Sequence, residues 1–332
     1  MAKYKVMMTD TCFPDTSIEE ETLAQYDAEL VLAPSTDAKD LIETGKDCDG
    51  IIFDFADMTE DVLSSLPKCK VCSRVGIGVN NIDIPAASRN GIMVANVPDY
   101  CFDEVADHTV ALYLALNRRI NQYDRMTRSG SWDVTAAGKI YRMVGKKFCL
   151  YGLGNIAQRT ARRLAPFGFK LYAYDPWIKD DVFEELGVTR VETKEELFEI
   201  ADALSMHMPL VPETEGVVNM DLLSRMKPTA LFVNTARGGV VNEPDLIEAL
   251  KKGMIAGAGL DVVSEEPLPE DSELNKMENV IITPHVAFYT VEAEEELRKR
   301  SALEVMYALT EGEPHSFLNR RDLNKRDIAS GE

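Results

Sequence analysis

Short apolar runs alternate with longer amphipathic segments along this chain. In the first hundred residues the apolar runs are residues 6–8, 30–32, 50–53, 71–75 and 93–96. Each has the length of a buried strand, and the acidic segments between them follow a helical pattern. Strands that alternate with helices predict a parallel sheet covered by helices.

The pattern changes at residues 103–121, which contain no Gly or Pro and carry apolar residues around most of the helical circumference. This predicts one long helix buried between two bodies. A second alternation begins at Lys147, with strands predicted at residues 148–151, 170–174, 203–206, 230–234, 257–261 and 280–283, and a last helix at residues 291–310.

The two alternations predict an α/β protein with two Rossmann-like, doubly wound parallel-sheet domains. We expect a domain of residues 103–289 to be inserted in a domain formed by residues 1–102 and 290–332. The final helix then returns to the first domain.

The composition narrows the possible functions. A net charge of −20 argues against a nucleic acid partner or an anionic membrane surface, because both require clustered Lys and Arg. The six Cys do not form a disulfide scaffold, and the Cys69/Cys72 pair favours buried thiols over a metal site. Neither a signal peptide nor an apolar run of about 20 residues is present, so we expect a cytoplasmic protein without a membrane partner.

One glycine motif stands where a strand passes into a helix. Gly152, Gly154 and Ala157 fit the G-x-G-x-x-G/A pattern after the strand at residues 148–151. Gly152 permits a tight turn, and Gly154 lets the backbone approach a pyrophosphate at the helix N-terminus. The motif predicts a dinucleotide site.

Asp175 indicates which of the two nicotinamide dinucleotides, NAD or NADP, would bind. It ends the next predicted strand, and no Arg stands among the residues just after it. A carboxylate at this place accepts hydrogen bonds from the adenosine ribose hydroxyls and repels a 2′-phosphate. The expected cofactor is NAD rather than NADP.

Three further polar groups follow predicted strands. They are centred on Arg237, on residues 261–267 and on His285. Ligands bind at the carboxyl ends of strands in open α/β sheets, so these groups are candidates for a common site.

With these motifs in place, the chain resembles the D-isomer-specific 2-hydroxyacid dehydrogenase family along essentially its whole length. The resemblance implies an NAD-dependent enzyme that interconverts a small 2-oxo acid and its D-2-hydroxy acid. It also implies that residues 103–289 bind NAD and that the other domain, flavodoxin-like, is the substrate domain.

The resemblance assigns three catalytic residues, Arg237, Glu266 and His285. His285 can give a proton to the carbonyl oxygen as hydride arrives, because imidazole titrates near neutral pH. Glu266 would keep that imidazole protonated and oriented. Arg237 can form a paired hydrogen bond with the substrate carboxylate and carbonyl oxygen.

Other positions match family contacts. The expected cofactor contacts are Thr109, Gly152, Gly154, Asn155, Ile156, Asp175, His207, Met208, Pro209, Thr214, Thr235, Ala236, Arg237, Asp261 and His285. The expected substrate contacts are Arg74, Val75, Gly76, Ile77, Gly78, Arg237, His285 and Phe288. Backbone amides at residues 76–78 would hold the substrate carboxylate, and Asp261 the nicotinamide amide.

The exact substrate stays open between phosphoglycerate and hydroxypyruvate or glyoxylate. Family members that act on phosphorylated acids often carry Arg-Ser after the third strand, where this chain has Asp54 and Phe55. If this loop faces the substrate, Asp54 would repel a phosphate; the alternative is that Asp54 points to solvent.

Residues 96–101 and Phe288-Tyr289 look most like the branch that includes the C-terminal-binding-protein corepressors. This gives an alternative of another class, an NAD(H)-sensing binding module. The region of residues 103–121 is also the segment that such family members use to dimerise, so we expect a homodimer.

Overall fold

The computed structural model describes residues 2–323, and these divide into two compact units. The first contains the residues up to Tyr100 and the described residues from Thr290 onward. The second runs from Cys101 to Tyr289. Each unit is built around its own parallel sheet.

In the described part of the first unit, strands alternate with helices and a last helix lies near the end of the chain. Its strands are β1 (Tyr4–Met8), β2 (Ala28–Leu32), β3 (Gly50–Phe53), β4 (Val71–Arg74) and β5 (Met93–Ala95). Its helices are α1 (Ser17–Ala24), α2 (Ala38–Gly45), α3 (Glu60–Ser64), α4 (Ile84–Arg89) and, at the far end of the chain, α12 (Val291–Thr310).

The second unit has seven strands. They are β6 (Lys147–Tyr151), β7 (Lys170–Tyr174), β8 (Thr189–Arg190), β9 (Ala203–Met206), β10 (Leu231–Asn234), β11 (Gly257–Leu260) and β12 (Val280–Ile282). The helices are α5 (Phe102–Arg118), α6 (Ile120–Arg128), α7 (Asn155–Leu164), α8 (Asp180–Leu186), α9 (Lys194–Ile200), α10 (Met220–Leu223) and α11 (Glu243–Lys251). Short 3-10 turns occupy Ala165–Phe167, Gly238–Val240 and Glu273–Lys276.

The strand orders identify the two sheets. The first unit has the order β2-β1-β3-β4-β5, the flavodoxin-like arrangement. The second has β12-β11-β10-β9-β6-β7-β8, the Rossmann arrangement with one added strand. The order reverses between β1 and β3 in one sheet and between β6 and β9 in the other, and ligands bind at such switch points. The predicted fold class is confirmed.

The region of residues 103–121 differs from the prediction of one long buried helix. Helix α5 ends at Arg118 because Arg119 adopts a left-handed conformation (φ 53°), and α6 starts immediately afterwards. Only part of α5 is buried: Leu112 and Leu116 pack on Gly259 of β11, while Asp103 and Asp107 are exposed. The prediction overlooked this polar stripe, in which Asp103 and Asp107 lie one turn apart and form ion pairs with Arg163 of α7.

The central strands of each sheet are the most deeply buried, because helices cover them. Strands β3, β9, β10 and β11 are buried at every position, as expected of parallel strands enclosed on both faces. The second unit has aromatic packing between Tyr113, Phe148 and Phe169, whose rings meet edge to face at centroid distances of 5.1–5.5 Å. Such pairs add to the stabilisation from buried area.

Helix α12 is fixed to α1 by a buried charge cluster. The Arg298 guanidinium donates to both carboxylate oxygens of Glu19 at 2.9 and 2.8 Å, and also to Glu294 and to the Asp15 carbonyl. The Arg298 side chain is only 3% exposed and that of Glu19 is 0% exposed. Breaking such a pair leaves a buried charge without compensation.

We therefore expect Arg298→Met to destabilise the first unit by about 3–5 kcal/mol. The matched control is Arg89→Met, which removes a pair with Glu60 whose side chains are 55% and 58% exposed; its cost should stay under about 1 kcal/mol. The free energy of unfolding is measured by denaturant titration. Equal losses in the two variants would contradict the assignment of Arg298 as the fixing point of α12.

Candidate active site

The glycine turn lies at the switch point of the second sheet. Gly152 has φ 94°, and a Cβ there would meet the His207 carbonyl oxygen at 2.8 Å. This closeness brings the loops after β6 and β9 into backbone contact. Gly154 has open space around its missing Cβ and precedes α7, whose first turn receives no side-chain cap. The uncapped N–H groups of α7, which starts with Asn155 and Ile156, fit a pyrophosphate.

Asp175 follows β7 and is held by the backbone. One of its carboxylate oxygens accepts from Leu153 N at 2.8 Å, and the other accepts from the amides of Trp177 and Ile178 at 2.8 and 3.2 Å. A carboxylate has about four acceptor positions, so one remains for a ribose hydroxyl. The bond to Leu153 ties this carboxylate to the glycine turn.

The loop after β9 contains His207, whose ring lacks a hydrogen-bond partner within residues 2–323 at its buried Nε2, and a buried apolar side chain, Met208. Burial lowers the pKa of His207 to about 3, so its ring is neutral at physiological pH. Its Nε2 is buried without a hydrogen-bond partner among the described residues. Met208 beside it is buried, and Thr214 closes the following turn by donating to the Pro209 carbonyl at 2.6 Å. Neutral His207 and Met208 suit an uncharged part of a dinucleotide.

A hydrogen-bond network centred on a buried carboxylate links the loop after β11 to α5. Asp261, 2% exposed, accepts from the amides of Val286 and Ala287 at 2.9 Å and from the Thr283 hydroxyl at 2.6 Å. His108 of α5 hydrogen-bonds the same hydroxyl at 2.9 Å. Asp261 therefore shapes the His285 loop as well as lying where a nicotinamide amide contact is expected.

A second link joins α5 to the loop after β10. The Thr109 hydroxyl lies 2.7 Å from that of Thr235, and both residues are buried. Ala236 and Arg237 follow, with Ala236 N donating to the Asn234 side chain and Asn234 Nδ2 donating to the Arg237 carbonyl at 2.9 Å. These bonds fix the backbone from which the Arg237 side chain extends.

The loops that carry Arg237 and Glu266 are in backbone contact. A Cβ at Gly238 would lie 1.7 Å from the Val263 carbonyl oxygen, so only glycine permits this approach. Glu243 at the start of α11 accepts from Ser264 N at 2.9 Å, and Glu266 accepts from Val263 N at 3.2 Å. The carboxyl edge of the sheet thus holds a guanidinium and a carboxylate on adjoining loops.

His285 and Glu266 form a direct pair. The His285 Nδ1 lies 2.7 Å from the Glu266 Oε2, with side chains 37% and 35% exposed. Partial burial would raise the pKa of Glu266, but the hydrogen bond and charge of His285, the Val263 amide and the Arg237 charge together lower it. Glu266 is therefore ionised at neutral pH and leaves Nε2 of His285 as the ring nitrogen for proton exchange.

The backbone holds His285 in an unusual conformation. Its φ of 52° lies in the left-handed region, which residues other than glycine rarely adopt. Its N–H donates to the Asp261 carbonyl at 2.8 Å, and the two following amides bind the Asp261 carboxylate. Phe288 follows in the same loop, with its ring centroid 6.5 Å from that of the imidazole. Such constrained backbone clusters at functional sites.

The expected substrate loop belongs to the first unit, at the end of β4. Gly76 has φ 141°, and a Cβ there would collide with the Arg74 guanidinium, which crosses over it. Val75 N donates to the Phe53 carbonyl, and Asn96 donates to the Ile77 carbonyl at 2.7 Å. Gly78 completes the loop. The Arg74 guanidinium lies 3.5 Å from Asp54, which is buried rather than pointing to solvent.

Sequence reasoning missed four residues that shape these loops: Asp10, Asn81, His108 and Glu243. Asp10 follows β1 and accepts from the amides of residues 54, 55 and 56. The strand-end rule that selected Arg237 and His285 would have found Asp10. His108, Asn81 and Glu243 lie in or beside helices, where periodicity gives no sign of their partners.

The described residues contain no group of three or more His, Cys, Asp or Glu arranged to hold a metal ion. No helix within residues 2–323 is both long and apolar enough to cross a membrane.

The second unit has a dinucleotide turn at the switch point of a Rossmann sheet, and an imidazole–carboxylate pair lies at the same edge. These features define the class of nicotinamide-dependent oxidoreductases.

Comparison with known proteins gives the family. The model of the D-isomer specific 2-hydroxyacid dehydrogenase NAD binding domain matches residues 110–287. A glyoxylate reductase of Korarchaeum cryptofilum is 38% identical over 296 residues, which cover 87% of this chain and 88% of the relative. The chain belongs to the D-isomer-specific 2-hydroxyacid dehydrogenase family, and the expectation of NAD as cofactor is confirmed.

Relatives with another name are equally similar. A D-3-phosphoglycerate dehydrogenase of Methanocaldococcus jannaschii is 38% identical over 292 residues, covering 87% of this chain but 54% of the relative. The chain therefore spans about half the length of that protein. The D-lactate dehydrogenase of Aquifex aeolicus, solved with NAD and lactic acid, superposes with a TM-score of 0.83 at 28% identity and covers 92% of this chain and 96% of its own.

The two motif glycines give a matched pair of variants. Gly152→Ala forces a positive φ on alanine and a clash with the His207 carbonyl, so it should cost about 1–3 kcal/mol of stability. Gly154→Ala has room for its Cβ and should leave thermal stability unchanged. It should nevertheless weaken NADH binding, because that Cβ enters the space through which the backbone approaches the pyrophosphate.

Thermal unfolding and a fluorescence titration with NADH measure the two properties separately. If Gly154→Ala binds NADH as tightly as the unsubstituted protein, the pyrophosphate does not lie at this turn.

Proposed function

We propose that this protein reduces a small 2-oxo acid to its D-2-hydroxy acid with NADH, and catalyses the reverse oxidation with NAD. The His285–Glu266 pair carries the proposal, since it stands at the same sheet edge as the dinucleotide turn. Bound NADH supplies the hydride. The D configuration follows from membership in the family.

The protein's own residues supply proton transfer and charge. As the carbonyl carbon receives hydride, its oxygen gains a proton from Nε2 of His285, whose Nδ1 is held by ionised Glu266. Arg237, on the loop next to that of Glu266, binds the substrate carboxylate and polarises the carbonyl group. In the oxidation direction the same imidazole accepts the hydroxyl proton.

Cofactor residues divide into four roles in this proposal. The α7 N-terminus, with Asn155 and Ile156, holds the pyrophosphate, and Asp175 accepts a hydrogen bond from a ribose hydroxyl. Thr109, Thr235, Ala236 and Asp261 surround the nicotinamide end, and His207, Met208 and Pro209 line the groove between the two ends. The fixed charge of Asp175 favours NADH over NADPH.

A binding module that senses NAD(H) is the second candidate function. The observation that favours it is Phe288, which stands beside His285 where the corepressor-like branch carries an aromatic residue. The two candidates differ in turnover: a binding module would bind NADH tightly and reduce no 2-oxo acid.

Kinetics of two variants test the catalytic assignment. His285→Ala should lower kcat for 2-oxo acid reduction about 10³-fold, because it removes the proton donor. Glu266→Gln should lower kcat by a smaller factor, because the amide oxygen can still accept from Nδ1 of His285 but carries no charge to balance an imidazolium. The measurement is the rate of NADH oxidation at saturating 2-oxo acid.

The matched control is Glu265→Gln, which removes the adjacent exposed carboxylate and should leave kcat unchanged. An unchanged kcat in Glu266→Gln would refute the role of Glu266. Turnover by none of the 2-oxo acids, despite tight NADH binding, would favour the binding module.

We also propose that the chain forms a homodimer through α5, α6 and the segment that follows them. Helix α6 has no buried residue, and a nine-residue helix is marginal without a packing partner. The segment after α6 contains three highly exposed apolar residues. Trp132 is 91% exposed, Val134 is 84% exposed and Val144 is 67% exposed. Large apolar side chains gathered in one segment are typical of an interface.

Light scattering should give twice the chain mass of 37.0 kDa. Trp132→Glu should shift the mass toward that of one chain, because it places a charge in the apolar segment. Trp177→Glu changes an equally exposed Trp outside the segment and should leave the dimer intact. A single-chain mass for the unsubstituted protein at micromolar concentration would refute the proposal.

A further inference from the structure

The polar residues after β1, β3 and β4 form a cluster that the proposed chemistry has not used. Asp10 follows β1, Asp54 follows β3 and Arg74 ends β4. They lie at the carboxyl edge of the first sheet, and β1 and β3 flank its switch point, where flavodoxin-like sheets bind ligands. The cluster is therefore placed to act on a ligand.

The loop that carries Asp54 is held in one conformation. Asp10 accepts from the amides of Asp54, Phe55 and Ala56 at 3.2, 2.8 and 3.3 Å. Asn81 donates to the carbonyls of Asp54 and Ala56, both at 2.9 Å. The backbone thus turns the Asp54 side chain inward and leaves Phe55 59% exposed. The hydrogen bonds that Asp10 and Asn81 form with the loop backbone therefore fix the direction of the Asp54 side chain.

Asp54 and Arg74 form an ion pair at this edge. The Arg74 Nη2 lies 3.5 Å from the Asp54 Oδ1, with side chains 17% and 5% exposed. Burial raises the pKa of Asp54 to about 6, against the lowering effect of the Arg74 charge. Burial, followed by the Asp54 charge, raises the pKa of the Cys12 thiol to about 12, so this neighbour stays neutral.

The pair changes what Arg74 can bind. A guanidinium that is matched by a buried carboxylate has little charge left for an anionic ligand, and Asp10 adds a second carboxylate nearby. A substrate with a phosphate on its side chain would meet two carboxylates and one guanidinium. A substrate with an uncharged side chain would not be repelled by these carboxylates.

We propose that the Asp54–Arg74 pair is a specificity element that selects 2-oxo acids with an uncharged side chain over those with a second anionic group. The inference rests on the proposed function, whose substrate class it names. This specificity would distinguish the substrates for which two of the relatives are named. Glyoxylate has no second anionic group, whereas phosphoglycerate has one.

The test compares hydroxypyruvate with 3-phosphohydroxypyruvate, which share a carbon skeleton and differ in the phosphoryl group. The unsubstituted protein should show a kcat/KM at least about 10-fold higher for hydroxypyruvate. In Asp54→Asn this preference should shrink by about 10-fold, through a lower KM for the phosphorylated acid, because the Arg74 charge is released. Asp57→Asn, which removes an exposed carboxylate three positions away, should keep the original preference.

A pH series on the unsubstituted protein gives a second measurement, independent of whether Asp54→Asn folds. Sulfopyruvate replaces the phosphorylated acid, because its sulfonate stays ionised at all the pH values used. Protonation of Asp54 below pH 6 should raise the kcat/KM of sulfopyruvate relative to hydroxypyruvate several-fold between pH 8 and pH 5. A ratio of the two kcat/KM values is used because an effect of pH on His285 acts on both acids alike. The titratable and charged groups that face Asp54 are Asp10, Cys12 and Arg74.

A preference for the phosphorylated acid in the unsubstituted protein would overturn the inference. So would a kcat/KM ratio that changes neither in Asp54→Asn nor with pH. Absence of turnover with every acid would instead refute the proposed function. In that case, calorimetric affinities of the NADH complex for the same two acids decide the inference: tighter binding of hydroxypyruvate supports it, and tighter binding of 3-phosphohydroxypyruvate refutes it.

Discussion

The parallel direction of the strands is the constraint on which the rest of this structure depends. Parallel strands need a crossover between neighbours, so every strand of a sheet ends at the same edge and the chain leaves from there into a loop. In the second unit this brings together Gly152 after β6, Asp175 after β7, Arg237 after β10 and the Glu266 loop after β11, although they are far apart along the chain. Burial of the strands on both faces leaves the loops as the places for polar chemistry.

Carboxylates that accept backbone amides give these loops their shape. Asp10 binds three amides of the loop after β3, Asp175 binds an amide of the glycine turn and two of its own loop, and Asp261 binds two amides of the His285 loop. Each hydrogen bond to an ionised acceptor is stronger than one between neutral groups. The acidic composition therefore has a structural use at the sheet edges, where a short carboxylate side chain fixes a loop that has no regular secondary structure.

Charge balance at each edge indicates what the edge can bind. Near His285 the carboxylate of Glu266 stands beside the cationic Arg237, so a positive charge remains for an incoming carboxylate once the imidazole is protonated. Near Arg74 the balance is reversed, because Asp54 and Asp10 outnumber the single guanidinium. The two edges belong to different units of the chain, yet the same reasoning applies to both. Binding depends on the net charge of a cluster and on its burial, not on one cationic residue taken alone.

The sequence by itself determined the architecture, the cofactor motif and the family, because periodicity, glycine spacing and strand-end residues are local signals. The strands at residues 50–53, 170–174 and 203–206 and the final helix agree with the structure to the residue. Only the tertiary structure decided that Asp54 turns inward to Arg74, that His108 joins Asp261 through Thr283, and that the helix of residues 103–121 breaks at Arg119. Those features depend on contacts between residues distant in the chain, or on one backbone dihedral angle, and neither leaves a periodic trace in the sequence.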